Sequence, residues 1–271
     1  MSDNSWRTHL EVGPDEISVW VGNLGRYNEG TLQGGWITLP VEPDELDRFL
    51  REVVGLETDS HKAYEAGLRG ERVYEEYFVA DYEYAGLLKD LSYRPHEYVM
   101  LEDLNLLAGV AFTQCWDQEA VSCATGYDAI DDPLELANLI AQSDEVPFYR
   151  YDFAGIEWCE NDSPEEKYGR MIAEAEGLTE LLEARGAADY FDFERYGECM
   201  GQDYYLTDEG YLDCTQDLPD LDHYDREELM ELAGWDDPEN DEREPNPPLR
   251  AQVAPGRDGT ELVIEDMEVE R

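Results

Sequence analysis

The chain has 271 residues, of which 67 are Asp or Glu and 19 are Lys or Arg, so its formal net charge is −48. It has no basic patch for binding nucleic acid or an anionic membrane, and no apolar run near the roughly 18 residues of a membrane-spanning helix. It is not a disordered acidic polymer, because 42% of its residues are hydrophobic and 18 are tyrosines.

Residues 1–15 are predicted to be a loose extension, and an α+β unit with an antiparallel sheet is predicted over residues 16–86. The unit opens with a strand that has one buried face, because apolar side chains alternate along it. Glycine and asparagine then dominate residues 22–30, and both tolerate positive φ, so this stretch predicts a tight loop. The alternating apolar residues of the strand are Ile17, Val19 and Val21.

The rest of this first unit is predicted as strand, helix and strand. A second strand is expected over Leu32–Leu39, and residues 43–54 have the apolar spacing of a helix that ends at Gly55. Residues 57–72 are polar and fit either a loop or a short helix. A strand over residues 74–82 closes the unit, and the carboxylates at its borders predict an acidic rim.

The second unit, residues 87–145, is predicted to be mostly helical. Residues 101–112 have helical periodicity, and residues 116–125 are expected to form a second helix. A third helix is predicted to begin at Asp132, which is a good N-cap, followed by Pro133 at the first helical position.

The third unit, residues 146–214, is predicted to be a sheet with helices. It opens with an alternating strand at residues 147–153. A capping box at Ser163 is expected to start a helix. Two further helical segments and a hairpin are expected at residues 178–185, 189–199 and 203–214.

The acidic tail, residues 215–271, has a net charge of −14 and is predicted to be largely disordered and dispensable for folding. One short helix is expected within residues 225–233, and residues 262–264 fit either a strand or a docking segment. The odd number of widely spaced cysteines, five, favours reduced thiols in a cytoplasm, and the start of the chain lacks a signal-peptide pattern.

No motif in the chain predicts a catalytic, metal or cofactor site. Gly22 and Gly25 follow a strand, but the lysine of a phosphate-binding loop and the third glycine of a dinucleotide fingerprint are missing. The acidic run at residues 217–223 lacks the spacing of a calcium loop, and no Cys/His spacing indicates zinc. Tyrosines beside acids fit either sheet packing or an interface: Tyr74, Tyr77, Tyr82 and Tyr84.

Three motifs carry a resemblance to a known family. Residues 19–30 read V-x-V-G-N-L-G-x-Y-N-E-G, residues 36–40 read W-x-x-L-P, and residues 74–83 read Y-E-E-Y-x-x-x-D-Y-E. With a weaker echo at residues 190–197, the chain resembles the ArdA antirestriction proteins over residues 16–214. The resemblance implies an elongated homodimer that mimics DNA and blocks type I restriction-modification enzymes, without catalysis of its own.

The net charge fits such mimicry by its size, because −48 equals the phosphate charge of about 24 base pairs. Carboxylates three or four positions apart on a helix also lie roughly 5–6 Å apart at Cβ, close enough to imitate a row of phosphates. The alternative is a salt-adapted protein or enzyme whose acidity serves only solvation, which gives no account of the motifs. The candidate partner-binding carboxylates are Glu75, Glu76, Asp81, Glu83, Glu102, Asp103, Asp131, Asp132, Asp144, Glu145, Asp152, Glu157, Asp162, Glu165 and Glu166.

Overall fold

The structure is a computed structural model and describes residues 12–152, 156 and 161–235. These residues form two compact units: unit 1 comprises residues 12–114, 131–137 and 224–235, and unit 2 comprises the rest. The strands are β1 (Ile17–Asn23), β2 (Gly34–Leu39), β3 (Tyr77–Tyr82), β4 (Phe148–Arg150), β5 (Tyr204–Leu206) and β6 (Gly210–Asp213). The helices are α1 (Leu24–Asn28), α2 (Pro43–Phe49), α3 (Ser60–Leu68), α4 (Leu87–Asp90), α5 (Leu101–Thr113), α6 (Gln118–Tyr127), α7 (Pro133–Ala141), α8 (Pro164–Ala175), α9 (Leu178–Ala184), α10 (Phe193–Met200) and α11 (Arg226–Leu232), with a π-helical turn at Leu50–Val54 and 3₁₀ turns at Ser143–Glu145 and Ala188–Tyr190.

The sheet of unit 1 has the order β2-β1-β3, and both pairings are antiparallel. Trp20 of β1 lies opposite Trp36 of β2, and a bulge separates Trp20 from Val21 on the β3 side. All seven residues of β1 are buried. The prediction of one buried face was therefore wrong: Ser18 and Trp20 are buried too, because β1 is the central strand and both of its faces are covered.

A short helix, α1, replaces most of the loop that the glycines and asparagines predicted. The side chain of Asn23 accepts a hydrogen bond from the N–H of Arg26 at 2.9 Å and so caps the helix. Its amide also donates to the carbonyls of Val54 and Gly55 at 3.1 and 3.2 Å. The loop prediction was wrong over residues 24–28 because the asparagine serves as a buried cap, whereas Gly30 does adopt positive φ.

Helix α5 is the buried helix of unit 1, and its periodicity predicted it correctly. Asn105 is buried within it and forms two hydrogen bonds with the backbone of Val41, accepting at 2.8 Å and donating at 2.7 Å. Helix α11 packs against α5, with Leu229 buried and the carbonyl of Leu232 accepting from the Thr113 hydroxyl at 2.6 Å. The helix expected within residues 225–233 is thereby confirmed, and it belongs to the packed part of unit 1.

Unit 2 contains the second antiparallel sheet, in the order β4-β6-β5, and the predicted hairpin forms its β5–β6 part. Strand β4 is shorter than predicted within the described residues. Helices α8 and α10 approach closely through Gly169 and Gly197, where an added Cβ would overlap the backbone of the other helix. On the sheet, the ring of Tyr211 contacts those of Tyr149, Tyr151, Tyr168 and Tyr204.

The α+β class is confirmed, because both units combine a small antiparallel sheet with helices. The remaining predicted helices are present, and residues 57–72 contain a helix, α3. The division into units at residues 16–86, 87–145 and 146–214 stays a prediction. The predictions for residues 1–11, 236–248 and 262–264 lie outside the described residues.

Candidate protein-binding surface

The first candidate carboxylates lie along β3, an edge strand of the unit 1 sheet. Glu75 and Glu76 precede the strand, Asp81 lies within it and Glu83 follows it. Glu83 is half-buried and the other three are exposed. No described lysine or arginine forms an ion pair with any of the four. This edge therefore presents negative charge that its described neighbours do not compensate.

Glu102 and Asp103 lie in the first turn of α5, where the helix dipole favours negative charge. Glu102 is half-buried and accepts a hydrogen bond from the hydroxyl of Tyr77 at 3.4 Å. That hydroxyl also accepts from the N–H of Leu101 at 2.9 Å, and burial raises the pKa of Tyr77 to about 12. Asp103 is buried and forms an ion pair with Arg226, so its charge is compensated within unit 1.

Asp131 and Asp132 are exposed just before α7, and Asp132 caps the helix as predicted. Both lie near Tyr93, whose buried hydroxyl has no hydrogen-bond partner among the described atoms. Burial raises the pKa of Tyr93, and the charges of Asp132, Asp131 and Asp103 raise it further. The structure thus brings three of the predicted carboxylates into the surroundings of one neutral phenol.

In unit 2, three predicted carboxylates are exposed. Asp144 and Glu145 lie in the 3₁₀ turn that precedes β4, and Asp152 follows that strand. Glu157 lies outside the described residues. Unit 2 therefore carries exposed acidic side chains on both sides of β4 in the sequence.

The three candidates at the start of α8 are less available. Arg170 donates to Glu166 at 2.6 Å and lies 3.3 Å from a carboxylate oxygen of Asp162. Glu165 is half-buried. Ser163 accepts a hydrogen bond from the N–H of Glu166 at 3.2 Å, so this helix start is capped as predicted. Two of these three carboxylates are thus engaged by a neighbouring arginine.

One acidic site in unit 2 was not predicted from the sequence. Arg150 of β4 donates to Asp117 at 2.6 Å and to Glu119 at 2.5 Å. Burial opposes ionisation of Asp117, but the hydrogen bonds from Arg150 and from the N–H of Ala120 hold its pKa below the ordinary value. The same two carboxylates raise the pKa of Arg150. A shallow concavity here is lined by Cys115, Trp116, Asp117, Gln118, Glu119, Ser143, Asp144 and Arg150.

Asp117 could have been found from the sequence, because it directly precedes α6 and serves as its N-cap. Its pairing with Arg150, 33 positions along the chain, leaves no local pattern. Most other described cations also form ion pairs with acids, which leaves little positive surface. Such cations are Arg48, Arg51, Lys62, Arg69, Arg72, Lys167 and Arg170.

The described residues also bear on other kinds of site. They contain no cluster of three or more His, Cys, Asp or Glu side chains that could hold a metal ion. Within the same residues, no helix has the length and apolarity needed to cross a membrane. Burial raises the pKa of the Cys123 thiol to about 12, so this thiol stays protonated at neutral pH and is a poor nucleophile.

These features define an acidic α+β protein whose exposed carboxylates largely lack compensating cations in the described part of the chain. A protein-family model for ArdA, described as an antirestriction protein, matches residues 19–213. The chain belongs to the ArdA family of antirestriction proteins, which is not a known family of enzymes. No curated protein sequence matches the chain.

Proposed function

We propose that this antirestriction protein is a DNA mimic that occupies the DNA-binding groove of a type I restriction-modification enzyme and excludes DNA. The observation that carries the proposal is the uncompensated negative charge along β3. A groove that binds duplex DNA is lined by cations, and it gains affinity by releasing counterions from its ligand. Exposed carboxylates on a folded protein offer such a groove the same interaction.

Ten of the candidate carboxylates divide into two groups by their surroundings. Charges engaged by an arginine have a structural role in this proposal: Asp103, Asp162 and Glu166. The exposed charges without a described cation partner contact the target: Glu75, Glu76, Asp81, Asp131, Asp132, Asp144 and Glu145. Because each exposed charge is partly solvated, each contributes little alone, and affinity comes from their number.

We further propose that the protein acts as a homodimer in the cytoplasm, without catalysis. The dimer contact is assigned to unit 2, where helix α9 has no buried residue. Tyr190 is 89% exposed, Leu181 is 52% exposed, and both are apolar in bulk. A second copy would cover such side chains, whereas most of the surface would repel it. Other aromatic residues of unit 2 are partly used within the unit, because Tyr149 and Tyr151 pack on Tyr211.

Competition with DNA tests the proposed function. DNA cleavage by a purified type I enzyme is measured at several DNA concentrations, with and without the protein. We expect inhibition that excess DNA relieves, because both ligands require the same groove. Inhibition that is independent of DNA concentration would place the binding site elsewhere and refute mimicry.

A further inference from the structure

In the Y-E-E-Y motif at residues 74–77, the two outer side chains are fixed and the two inner ones are free. Glu75 and Glu76 are exposed. Tyr74 and Tyr77, which flank them, are half-buried and are each held by contacts to other parts of unit 1. The motif therefore places two free carboxylates between two anchors.

The first anchor, Tyr74, is held by residues of the earlier G-N-L-G-R-Y-N-E-G motif. Its hydroxyl donates to a carboxylate oxygen of Glu29 at 2.8 Å, and this hydrogen bond raises the pKa of Tyr74. The guanidinium groups of Arg26 and Arg72 lie 4.5 and 5.8 Å from the ring centroid, within the range of a cation–π interaction. A Cβ added at Gly25 would overlap the ring, so the glycine makes room for it.

The second anchor, Tyr77, is the first residue of β3, and its hydroxyl is fixed at the start of α5. The backbone between the anchors is held as well. The carbonyl of Tyr74 accepts from the N–H of Glu57 at 2.8 Å, and the carbonyl of Glu76 accepts from the N–H of Leu24 at 3.0 Å. The main chain that carries the two glutamates is thus fixed before, within and after the pair.

We propose that Tyr74 and Tyr77 are positioning residues that fix the main chain of Glu75 and Glu76 and so present both carboxylates to an arginine or lysine side chain of the partner protein. This inference rests on the proposed function. Two glutamates on a fixed main chain lose less conformational entropy on binding than two glutamates on a mobile loop. The shallow depression at this place suits a cation, because its lining combines carboxylates, tyrosine rings and an alkyl chain: Leu24, Glu75, Glu76, Tyr77 and Tyr98.

The inference also explains why two separate motifs occur together in one chain. Asn23 is paired with Tyr77 in the sheet, and Arg26 and Glu29 contact Tyr74. The first motif therefore supplies contacts that fix the second motif, and the second motif carries the two charged side chains.

A double-mutant cycle tests the inference with the full-length protein and a purified type I enzyme as the binding probe. Tyr74→Ala is measured alone and in a Glu75→Gln/Glu76→Gln background. Because residues that act through one another are not additive, we expect Tyr74→Ala to raise Kd about fivefold in the native background and less than about twofold in the neutralised background. Tyr74→Phe removes only the bond to Glu29, and we expect a smaller loss with the same dependence on background.

Two controls keep the outcomes distinct. Tyr64→Ala changes an exposed tyrosine of the same unit, and it should leave Kd unchanged. Circular dichroism and thermal unfolding report whether each variant is folded. If Tyr74→Ala is not folded, the binding of Tyr74→Phe decides the test. An equal loss in both backgrounds, or no loss in a folded variant, would overturn the positioning role. Failure of the unmutated protein to bind the enzyme would instead refute the proposed function.

Discussion

The loss of stability caused by a substitution in helix α11 can be worked out from the structure. Leu229 is 1% exposed and packs in unit 1, where α11 lies against α5. Leu229→Ala removes buried apolar atoms and leaves a cavity, which typically costs about 2–5 kcal/mol. We expect a loss of about 3 kcal/mol, a large share of the roughly 5–15 kcal/mol that stabilises a typical protein. The corresponding fall in melting temperature is about 6–12 °C for a chain of this size.

Urea and thermal unfolding, followed by circular dichroism, measure this loss. The matched control is Leu68→Ala in α3, the same change in the same unit at a leucine that is 71% exposed, which should cost less than about 0.5 kcal/mol. If both variants unfold alike, α11 does not pack as described. A second comparison uses chains that end at Trp235 and at Cys214. The longer chain keeps every contact of α11 described above and should fold normally, whereas the shorter chain should be destabilised.

Raising salt from about 50 to 200 mM should weaken binding to the enzyme at least about tenfold, as it does for DNA, and an unchanged Kd would indicate an apolar interface. Asp103→Asn should lower stability by about 1–2 kcal/mol because it removes the negative charge that pairs with Arg226, whereas Asp144→Asn should leave unfolding unchanged. Tyr190→Glu should convert dimer to monomer in light scattering while Tyr64→Glu does not, and dimers in both would move the contact elsewhere. Single neutralisations should each weaken inhibition less than about fivefold, and their effects should multiply when they are combined: Asp81→Asn, Glu83→Gln and Asp132→Asn. One change that abolishes inhibition in a folded protein would contradict distributed charge.

Much of the fold could be predicted because its signals are local. Periodicity and caps located α5, α7 and α8, and turn residues located the β5–β6 hairpin. The signals failed where tertiary packing reverses a local preference. Asn23 looked like a loop residue but caps α1 from a buried position. The sequence predicts that removal of residues 215–271 leaves folding intact, because the acidic composition of this segment gives no sign that Leu229 is buried.

The chemistry of the candidate surface could be predicted, but its division into free and engaged charges could not. Net charge shows that carboxylates must cover the surface, since few cations are present to pair with them. Which acids have partners depends on contacts between distant positions. Asp103 and Arg226 are 123 positions apart, and Tyr74 and Glu29 are 45 apart, so no sequence pattern marks either pair.

Displacement of DNA tests the central claim most directly. A fluorescently labelled duplex is bound to a type I restriction-modification enzyme, and the protein is added while fluorescence anisotropy is recorded. We expect complete release of the duplex, with an apparent Kd that rises in proportion to the concentration of competing duplex and rises again when the β3 carboxylates are neutralised. A ternary complex, in which the duplex stays bound while the protein inhibits cleavage, would contradict DNA mimicry.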